Sequence, residues 1–206
     1  MKIKLLSYTP LEVADIAICK CYGNEPHSDS EKVKARINRV ANVSKHASTI
    51  EHLYYNFDVD GISRACLQEV ARHRIASYTV KSSRYTLQEL KKDPYYKGQI
   101  TTDIISWASK YIVLTGIVDV DIASSQALEK LQNLIQKDFK NDVAKYCMPE
   151  AYKTSLVMSI NARSLQNFLE LRTSKHALKE IQDLARALFE AIPEEHKFLF
   201  KEYIND

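Results

Sequence analysis

Glycine and proline are scarce in this chain of 206 residues, with four and five copies respectively. No stretch is dominated by serine, glycine or glutamine, so we predict neither a linker nor a low-complexity tract, and no internal repeat is visible. Neither G-x-x-x-x-G-K-[ST] nor G-x-G-x-x-G occurs, which argues against a phosphotransferase built on a glycine-rich loop. The length and the 45% hydrophobic content predict one domain covering residues 1–206.

Long apolar runs are also missing. Nowhere do about 18 uncharged apolar residues follow one another, and the first residues, MKIKLLSYTP, contain too short an apolar run for a signal peptide. We therefore expect a soluble, cytoplasmic protein with no membrane partner. The four cysteines and six histidines show no C-x-x-C or H-x-x-x-H spacing, so we predict no metal site and reduced thiols that pack as small hydrophobic groups.

Acidic residues are absent between Glu69 and Glu89. This gap holds a concentration of cations and small hydroxyl groups: Arg72, His73, Arg74, Ser77, Thr79, Lys81, Ser82, Ser83 and Arg84. Arginine forks and short hydroxyl donors match the oxygens of a phosphate group. The segment 72–84 therefore predicts a binding site for a small, phosphate-bearing ligand.

The residues before this gap predict an amphipathic helix from Ile62 to His73, after a strand that Gly61 ends. At helical spacing, Ile62, Cys66, Glu69 and His73 share one face, so an apolar stripe becomes ionisable in its last turns. One interpretation is a binding site at the helix end. The other is that the helix dipole favours cations there. Residues 74–81 then predict a strand, which would turn Arg74, Ser82 and Arg84 to the same side if it stayed extended.

A second basic concentration occupies residues 153–179. A strand at 153–160 is followed by a helix that Asn161 or Ser164 can cap, and whose first amides can hold an anion. Arg172 extends the apolar stripe of this helix, whereas Arg163 and Asn167 lie on the opposite face. A buried guanidinium needs an anion, because an unpaired buried charge costs several kcal/mol. That anion is either a ligand or an acidic side chain, Glu170 or another.

The remaining pattern predicts an α/β chain of the α+β type, with a central mixed or antiparallel sheet flanked by helices. Further strands are predicted at 2–8 and 53–60. A first helix, with Thr9 as its cap and Pro10 as its first residue, ends near Cys21, and Ser28 or Ser30 caps a second. Further helices are predicted at 87–92, 103–114, 122–139, 140–147 and 177–192, with loops at 46–52 and 95–102.

Two motif blocks in the correct order resemble the flavin-dependent thymidylate synthases. The triplet Arg72-His73-Arg74, followed after seven residues by Ser82 and then by Arg84, is similar to the RHR-x7-S signature of that family. The segment from Asn161 to Arg172, NARSLQNFLELR, is similar to its second conserved block. The resemblance covers roughly residues 44–90 and 142–180.

This resemblance implies a homotetramer of α/β subunits with active sites shared between chains. It implies conversion of dUMP to dTMP, with FAD as the bound redox cofactor, NADPH as the reductant and 5,10-methylenetetrahydrofolate as the carbon donor. Residue by residue, it assigns FAD binding to His46, Ser48, Arg72, His73, Arg74, Val80, Asn161, Arg163, Asn167 and His176. It assigns dUMP binding to Glu69, Arg72, Val80, Ser82, Ser83, Arg84, Lys145 and Arg172.

Three positions depart from the family pattern. Val80 replaces a frequent Glu or Gln, Thr79 replaces a frequent Asn, and Lys145 replaces Arg. Val80 can contribute only backbone groups, and Lys145 offers a point charge instead of a bidentate fork.

Arg172 is the predicted catalytic residue. A guanidinium beside the N3–O4 edge of uracil stabilises the ionised, enolate-like base that C5 methylation requires. No cysteine has a base and an orienting partner in its sequence context, and Ser82 has no dedicated base, so we interpret Ser82 as a ligand-binding residue.

The alternatives are a nucleic-acid-binding module and a non-catalytic nucleotide-binding protein. The first would need a continuous basic stripe with stacking aromatics. The net charge is only +3, and the cations form two compact blocks. We therefore predict no nucleic-acid partner.

Overall fold

The computed structural model describes residues 1–94 and 104–205. Over these residues the strands are β1 (Lys2–Tyr8), β2 (Tyr54–Ser63), β3 (Ala76–Val80) and β4 (Lys153–Asn161). The α-helices of the same residues are α1 (Leu11–Tyr22), α2 (Ser30–Ile37), α3 (Arg64–Val70), α4 (Ser83–Lys92), α5 (Ile104–Ala108), α6 (Val118–Gln136), α7 (Asn141–Ala144), α8 (Ala162–Arg172) and α9 (Lys179–Ala191). The predicted loop at 95–102 lies outside the described residues.

The four strands form one sheet in the order β1-β2-β4-β3. Neighbouring strands are antiparallel, because backbone hydrogen bonds join the end of one strand to the start of the next one in the sheet. The Thr9 N–H donates to the Tyr54 carbonyl at 2.9 Å, and Ala162 N–H donates to Leu53 at 2.7 Å. On the β3 side, Lys81 N–H donates to Ser155 at 2.8 Å. The predicted α/β class is confirmed, and the choice left open between a mixed and an antiparallel sheet is decided for the antiparallel one.

The chain divides into two compact units. Unit 1 contains Met1–Val59, Glu69–Thr79 and Val157–Asp206, and unit 2 contains Asp60–Gln68 and Val80–Leu156. The core of unit 1 is rich in aromatic and branched side chains, among them the fully buried Tyr55, Phe57, Phe168 and Phe200. The core of unit 2 gathers Leu87, Leu90, Trp107, Leu128 and Leu131. The prediction of one domain over 1–206 stays a prediction.

The predicted helix at 62–73 is wrong at both ends. β2 continues through Gly61, whose φ of 74° suits glycine, to Ser63. The Arg64 N–H donates to Tyr152 at 3.0 Å, so α3 begins only there. At the other end, the Tyr78 hydroxyl donates to the carbonyls of Val70 at 3.1 Å and His73 at 2.7 Å. The helix itself ends at Val70, whose carbonyl also accepts the His73 N–H at 3.1 Å.

A second correction concerns residues 82–92. The predicted helix at 87–92 begins four residues earlier, at Ser83. Arg84 therefore lies in a helical turn. The condition under which Arg74, Ser82 and Arg84 would face the same side, a chain that stays extended as far as Arg84, is not met. The sequence from Ser82 to Arg84 has no apolar periodicity that would have predicted this start. The buried leucines of α4, Leu87 and Leu90, lie later in the helix.

Smaller differences affect element ends. Pro10 occupies the cap position of α1, one residue later than predicted, and Asp29 caps α2 in place of Ser28 or Ser30, accepting the Glu31 N–H at 2.9 Å. The loop predicted at 46–52 is instead a 3-10 helix at Ala47–His52. The helix predicted at 103–114 ends at Ala108, after which Ile112 pairs with Tyr152 as an isolated bridge. No helix in the described part of the chain is both long enough and apolar enough to cross a membrane.

Candidate active site

Arg172 lies at the last turn of α8, where three buried residues of the same helix face, Leu165, Phe168 and Leu169, bring it against α3. Its side chain is only 14% exposed, and its Nη1 lies 2.6 Å from Glu69 Oε2. Nη2 donates to the Glu69 carbonyl at 3.0 Å, and Nε donates to His73 Nε2 at 2.9 Å. The predicted need for an anionic partner is met by Glu69 in this structure, and not by Glu170.

His73 completes this cluster and is itself buried, with 8% of its surface exposed. Its ring lies against the Phe168 ring, with the centroids 4.6 Å apart. Burial lowers the pKa of His73 to about 4, with the Arg172 and Arg72 guanidiniums adding to the effect and the Glu69 carboxylate opposing it. His73 is therefore neutral at physiological pH, although an ordinary imidazole titrates near it.

Acid is expected to destabilise unit 1 through His73. The unfolded chain binds this proton near pH 6.5 but the folded chain only near pH 4, so the unfolded state carries more protons between these values and the free energy of unfolding falls as pH falls through them. The loss from His73 is of the order of 3 kcal/mol. Urea unfolding of the wild type and of His73→Gln across this window checks the effect. The variant is expected to show a shallower pH dependence, and equal slopes would contradict the assignment.

A cavity of about 920 Å³ opens beside Arg172. Its walls include Arg172 and seven of the ten residues that the family resemblance assigned to FAD: Arg72, His73, Arg74, Asn161, Arg163, Asn167 and His176. The motif assignments come from two blocks whose nearest cavity residues, Arg74 and Asn161, are 87 positions apart (161 − 74) in the sequence, and they meet at one place. Sequence reasoning missed other wall residues, among them Glu51, Ile75 and Leu171. Ile75 and Leu171 are 72% and 53% exposed, and apolar periodicity alone gives no signal for an exposed apolar residue.

Asn161 shapes this wall as the cap of α8. Its side chain accepts the Ser164 N–H at 2.8 Å, which confirms one of the two predicted caps. The Ala162 N–H donates to Leu53, so two early amides of α8 already have partners. The sequence predicted that the first amides of this helix can hold an anion. Because two of them already have partners, binding of an anion here depends more on arginine side chains. Arg163, which lies 2.6 Å from Glu51 Oε1, is one such cation.

His46 and Ser48 lie in the wall of a second cavity of about 340 Å³. Arg163 belongs to the walls of both cavities, so these two residues are near neighbours of the first site. The Tyr22 hydroxyl is 3.2 Å from His46 Nδ1. The structure thus brings nine of the ten residues assigned to FAD into one region of unit 1, the exception being Val80.

The remaining residues assigned to dUMP belong to unit 2. Arg84 Nε lies 2.9 Å from Asp142 Oδ1, and Lys145 Nζ lies 3.6 Å from the same oxygen. Hydrogen bonding from Arg84 lowers the pKa of Asp142. Ser82 precedes α4 without capping it through its side chain, Ser83 begins that helix, and Val80 is the exposed last residue of β3. Arg84 and Lys145 thus share one carboxylate on the surface of unit 2.

Comparison with known proteins places this site in context. The family model described as "Thymidylate synthase complementing protein" matches residues 4–196. The chain belongs to this family. Among its members, a flavin-dependent thymidylate synthase of Campylobacter jejuni is 54% identical over 204 residues, covering 98% of this chain and 96% of that protein. One of Helicobacter pylori is 51% identical over 205 residues, with 98% of each covered.

A solved structure of the same family agrees with the fold. The crystal structure of the flavin-dependent thymidylate synthase ThyX of Helicobacter pylori, in complex with FAD and dUMP, matches with a TM-score of 0.93 and 50% identity over 100% of both chains. The resemblance drawn from the two motif blocks is confirmed. Among the described residues, no group of three or more His, Cys, Asp or Glu side chains is placed to hold a metal ion.

Proposed function

We propose that this chain is a flavin-dependent thymidylate synthase that converts dUMP to dTMP. Membership of the thymidylate synthase complementing protein family and the full-length match to an enzyme solved with FAD and dUMP support this function. The observation that carries it in this chain is the convergence of both motif blocks on the cavity beside Arg172. The alternative of a nucleic-acid-binding module is not favoured, because these cations surround a concave site and not a continuous stripe.

The residues of the cavity fit FAD. A volume of about 920 Å³ lies in the range of cofactor sites. Arg72 is 74% exposed and its contact with Glu69 is long, at 3.9 Å, so its guanidinium is free to turn toward a pyrophosphate. The exposed apolar side chains of Ile75 and Leu171 offer surface to a planar ring. When bound, FAD supplies the redox chemistry of the reaction.

Arg172 is the residue that we assign to catalysis. Methylation at C5 requires an electron-rich uracil, and a guanidinium at the N3–O4 edge stabilises the negative charge that forms there. The residue is held at the cavity wall with most of its surface covered, so little water competes with the ligand. Glu69 fixes the guanidinium and, by the family resemblance, also lies close to dUMP.

Arg84 and Lys145 are proposed to bind the phosphate of dUMP, with Ser82 and Ser83 as hydroxyl donors. Both cations already face one carboxylate, Asp142, so they are directed to a common point. An arriving phosphate would compete with Asp142 for them, and the Arg84 fork offers the stronger bond of the two. Val80 is proposed to contribute backbone groups only.

The co-substrates and the assembly are also part of the proposal. By the same resemblance, NADPH serves as the reductant, 5,10-methylenetetrahydrofolate as the carbon donor, and the protein acts in the cytoplasm as a homotetramer with shared active sites. The wide exposure of Arg72 and Ile75 in one chain supports sites that a neighbouring subunit completes.

The proposed function is tested on the purified protein by visible absorbance and by product analysis. We expect flavin absorbance after addition of FAD, and dTMP formation that requires dUMP, methylenetetrahydrofolate, NADPH and FAD together. Omission of each component serves as the control. A protein that retains no flavin and makes no dTMP would contradict the proposal, and steeply salt-dependent binding of a generic oligonucleotide in preference to dUMP would favour the alternative.

A further inference from the structure

The contacts of Arg172 leave it with a defined set of free donors. A guanidinium has five N–H groups and no acceptor. Three are used: one by the Glu69 carboxylate, one by the Glu69 carbonyl and one by His73 Nε2. Within residues 1–94 and 104–205, no other acceptor takes the remaining two, one on each Nη atom. Because Arg172 lies in the wall of the cavity, these two are the donors that a ligand can meet.

The bond from Arg172 to His73 fixes the state of the imidazole. Arg172 Nε can only donate, so His73 Nε2 must be the acceptor and carry no proton. His73 is therefore the neutral tautomer with its proton on Nδ1. Protonation of Nε2 would set two N–H groups against each other and two cations side by side within a buried cluster. This conclusion follows from the 2.9 Å contact together with the chemistry of the donor.

Described neighbours on α8, on α3 with the turn after it, and on β3 surround His73. On α8, Arg172 and the Phe168 ring lie against the imidazole. The charged groups that act on it from α3 and the turn that follows are the Glu69 carboxylate and the Arg72 guanidinium. From β3, the Tyr78 hydroxyl fixes the backbone by donating to the His73 carbonyl at 2.7 Å. Backbone and ring are thus both fixed, which suits a residue that orients another.

We propose that His73 is a positioning residue for Arg172: its neutral Nε2 and the Glu69 carboxylate hold the two ends of the guanidinium, so that the two free Nη–H groups face the uracil of dUMP. The proposal rests on the proposed function. It gives the middle residue of the Arg72-His73-Arg74 triplet a role toward the substrate, whereas the resemblance assigns it to FAD. The proposal also distinguishes the two arginines: Arg172 is held in a fixed position, whereas Arg72 is exposed and has only a long contact with Glu69.

Two substitutions at His73 separate positioning from packing. His73→Gln keeps an acceptor that the Arg172 Nε–H can reach, while His73→Leu fills similar space without one. We expect His73→Leu to lower kcat/KM for dUMP by about tenfold to a hundredfold, the usual cost of losing a hydrogen bond to a charged group. We expect His73→Gln to recover most of that loss. His27→Leu, at an exposed histidine outside the site, is the matched control.

The pH profile and FAD retention distinguish the outcomes. In the wild type, protonation of His73 contributes to the decrease in kcat/KM at acid pH. In His73→Gln this contribution is absent, so the decrease should be smaller. FAD retention, measured on both variants, distinguishes a loss of kcat/KM that acts through the flavin from one that acts through Arg172. Equal kcat/KM values for His73→Leu, His73→Gln and the wild type would overturn the positioning role, as would a fall in kcat/KM that saturating FAD restores. A wild-type protein without dTMP formation would instead contradict the proposed function.

A spectroscopic measurement tests the same inference without turnover. In the ¹⁵N spectrum of histidine-labelled holoenzyme, His73 is expected to show an unprotonated Nε2 and a protonated Nδ1 from about pH 8 to about pH 5.5, where an ordinary histidine titrates. Arg172→Gln is expected to raise the pKa of His73 more than Arg72→Gln does, because Arg172 donates directly to the imidazole at 2.9 Å whereas the Arg72 side chain is exposed to solvent. If His73 of the wild type carries its proton on Nε2 at neutral pH, the inference is overturned.

Discussion

Arg172→Ala is expected to lower dTMP formation by about a hundredfold to a thousandfold while FAD retention is unchanged, because it removes donors aimed at the charge that forms on uracil. The size of the effect depends on burial. The guanidinium is 14% exposed and held by Glu69 and His73, so water does not easily replace it. Steady-state kinetics with dUMP, together with the flavin absorbance of the purified variant, measure both quantities.

Arg172→Lys refines this test. A lysine keeps the positive charge but cannot donate to Glu69, His73 and the ligand together, because it lacks the planar fork. We expect Arg172→Lys to have less than about a tenth of the wild-type rate of dTMP formation, because the loss of one well-placed hydrogen bond to a charged group costs about tenfold. Arg39→Ala, at an exposed arginine outside the cavity, is the control for a simple loss of charge. Normal dTMP formation by Arg172→Ala would contradict the assignment of catalysis.

Phe168→Ala is expected to lower the free energy of unfolding by about 3–5 kcal/mol, the usual cost of deleting a buried phenylalanine ring. Phe168 is fully buried, and its ring also supports the imidazole of His73 at 4.6 Å. The substitution should therefore affect both stability and the arginine site. Urea unfolding at matched protein concentration measures the first effect, and kcat/KM for dUMP measures the second.

Phe168→Leu separates the two effects of this position. Leucine fills much of the space, so we expect a loss of stability well below that of Phe168→Ala. It offers no ring to the imidazole, so kcat/KM for dUMP should still fall. If the two variants lose stability equally, the packing that we assign to the Phe168 ring is wrong. If Phe168→Leu keeps the wild-type kcat/KM, the ring does not support the site.

Local periodicity predicted much of the fold. The bounds of β1 are those predicted from the sequence. β2 begins one residue and ends three residues later than predicted, and β4 ends one residue later. Both strands could be predicted because buried residues alternate with more exposed ones: Tyr55, Phe57 and Val59 in β2, and Leu156, Met158 and Ile160 in β4. The apolar stripe of α8 also placed Arg172 correctly at a partly buried position. These are patterns of period two and 3.6, which depend on neighbours along the chain.

Contacts between distant residues escaped prediction. Glu69 lies 103 positions before Arg172, and no local pattern distinguishes it from Glu170 as the partner. The end of α3 was missed for the same reason. The Tyr78 hydroxyl, eight residues beyond Val70, contacts the carbonyls of Val70 and His73 just after α3, and no local pattern in the sequence indicates this contact. The family resemblance indicated which residues meet, and the structure provides the contacts between them.

The most direct measurement of the central claim is a crystal structure of this chain with FAD and dUMP bound. We expect the flavin in the cavity walled by Arg72, Arg74, Asn161 and Arg163, and the N3–O4 edge of the uracil within hydrogen-bond distance of the two Nη atoms of Arg172. The Arg172 Nε should still donate to His73. A uracil out of hydrogen-bond reach of Arg172, or a flavin bound outside this cavity, would contradict the assignment of Arg172 as the residue that activates dUMP.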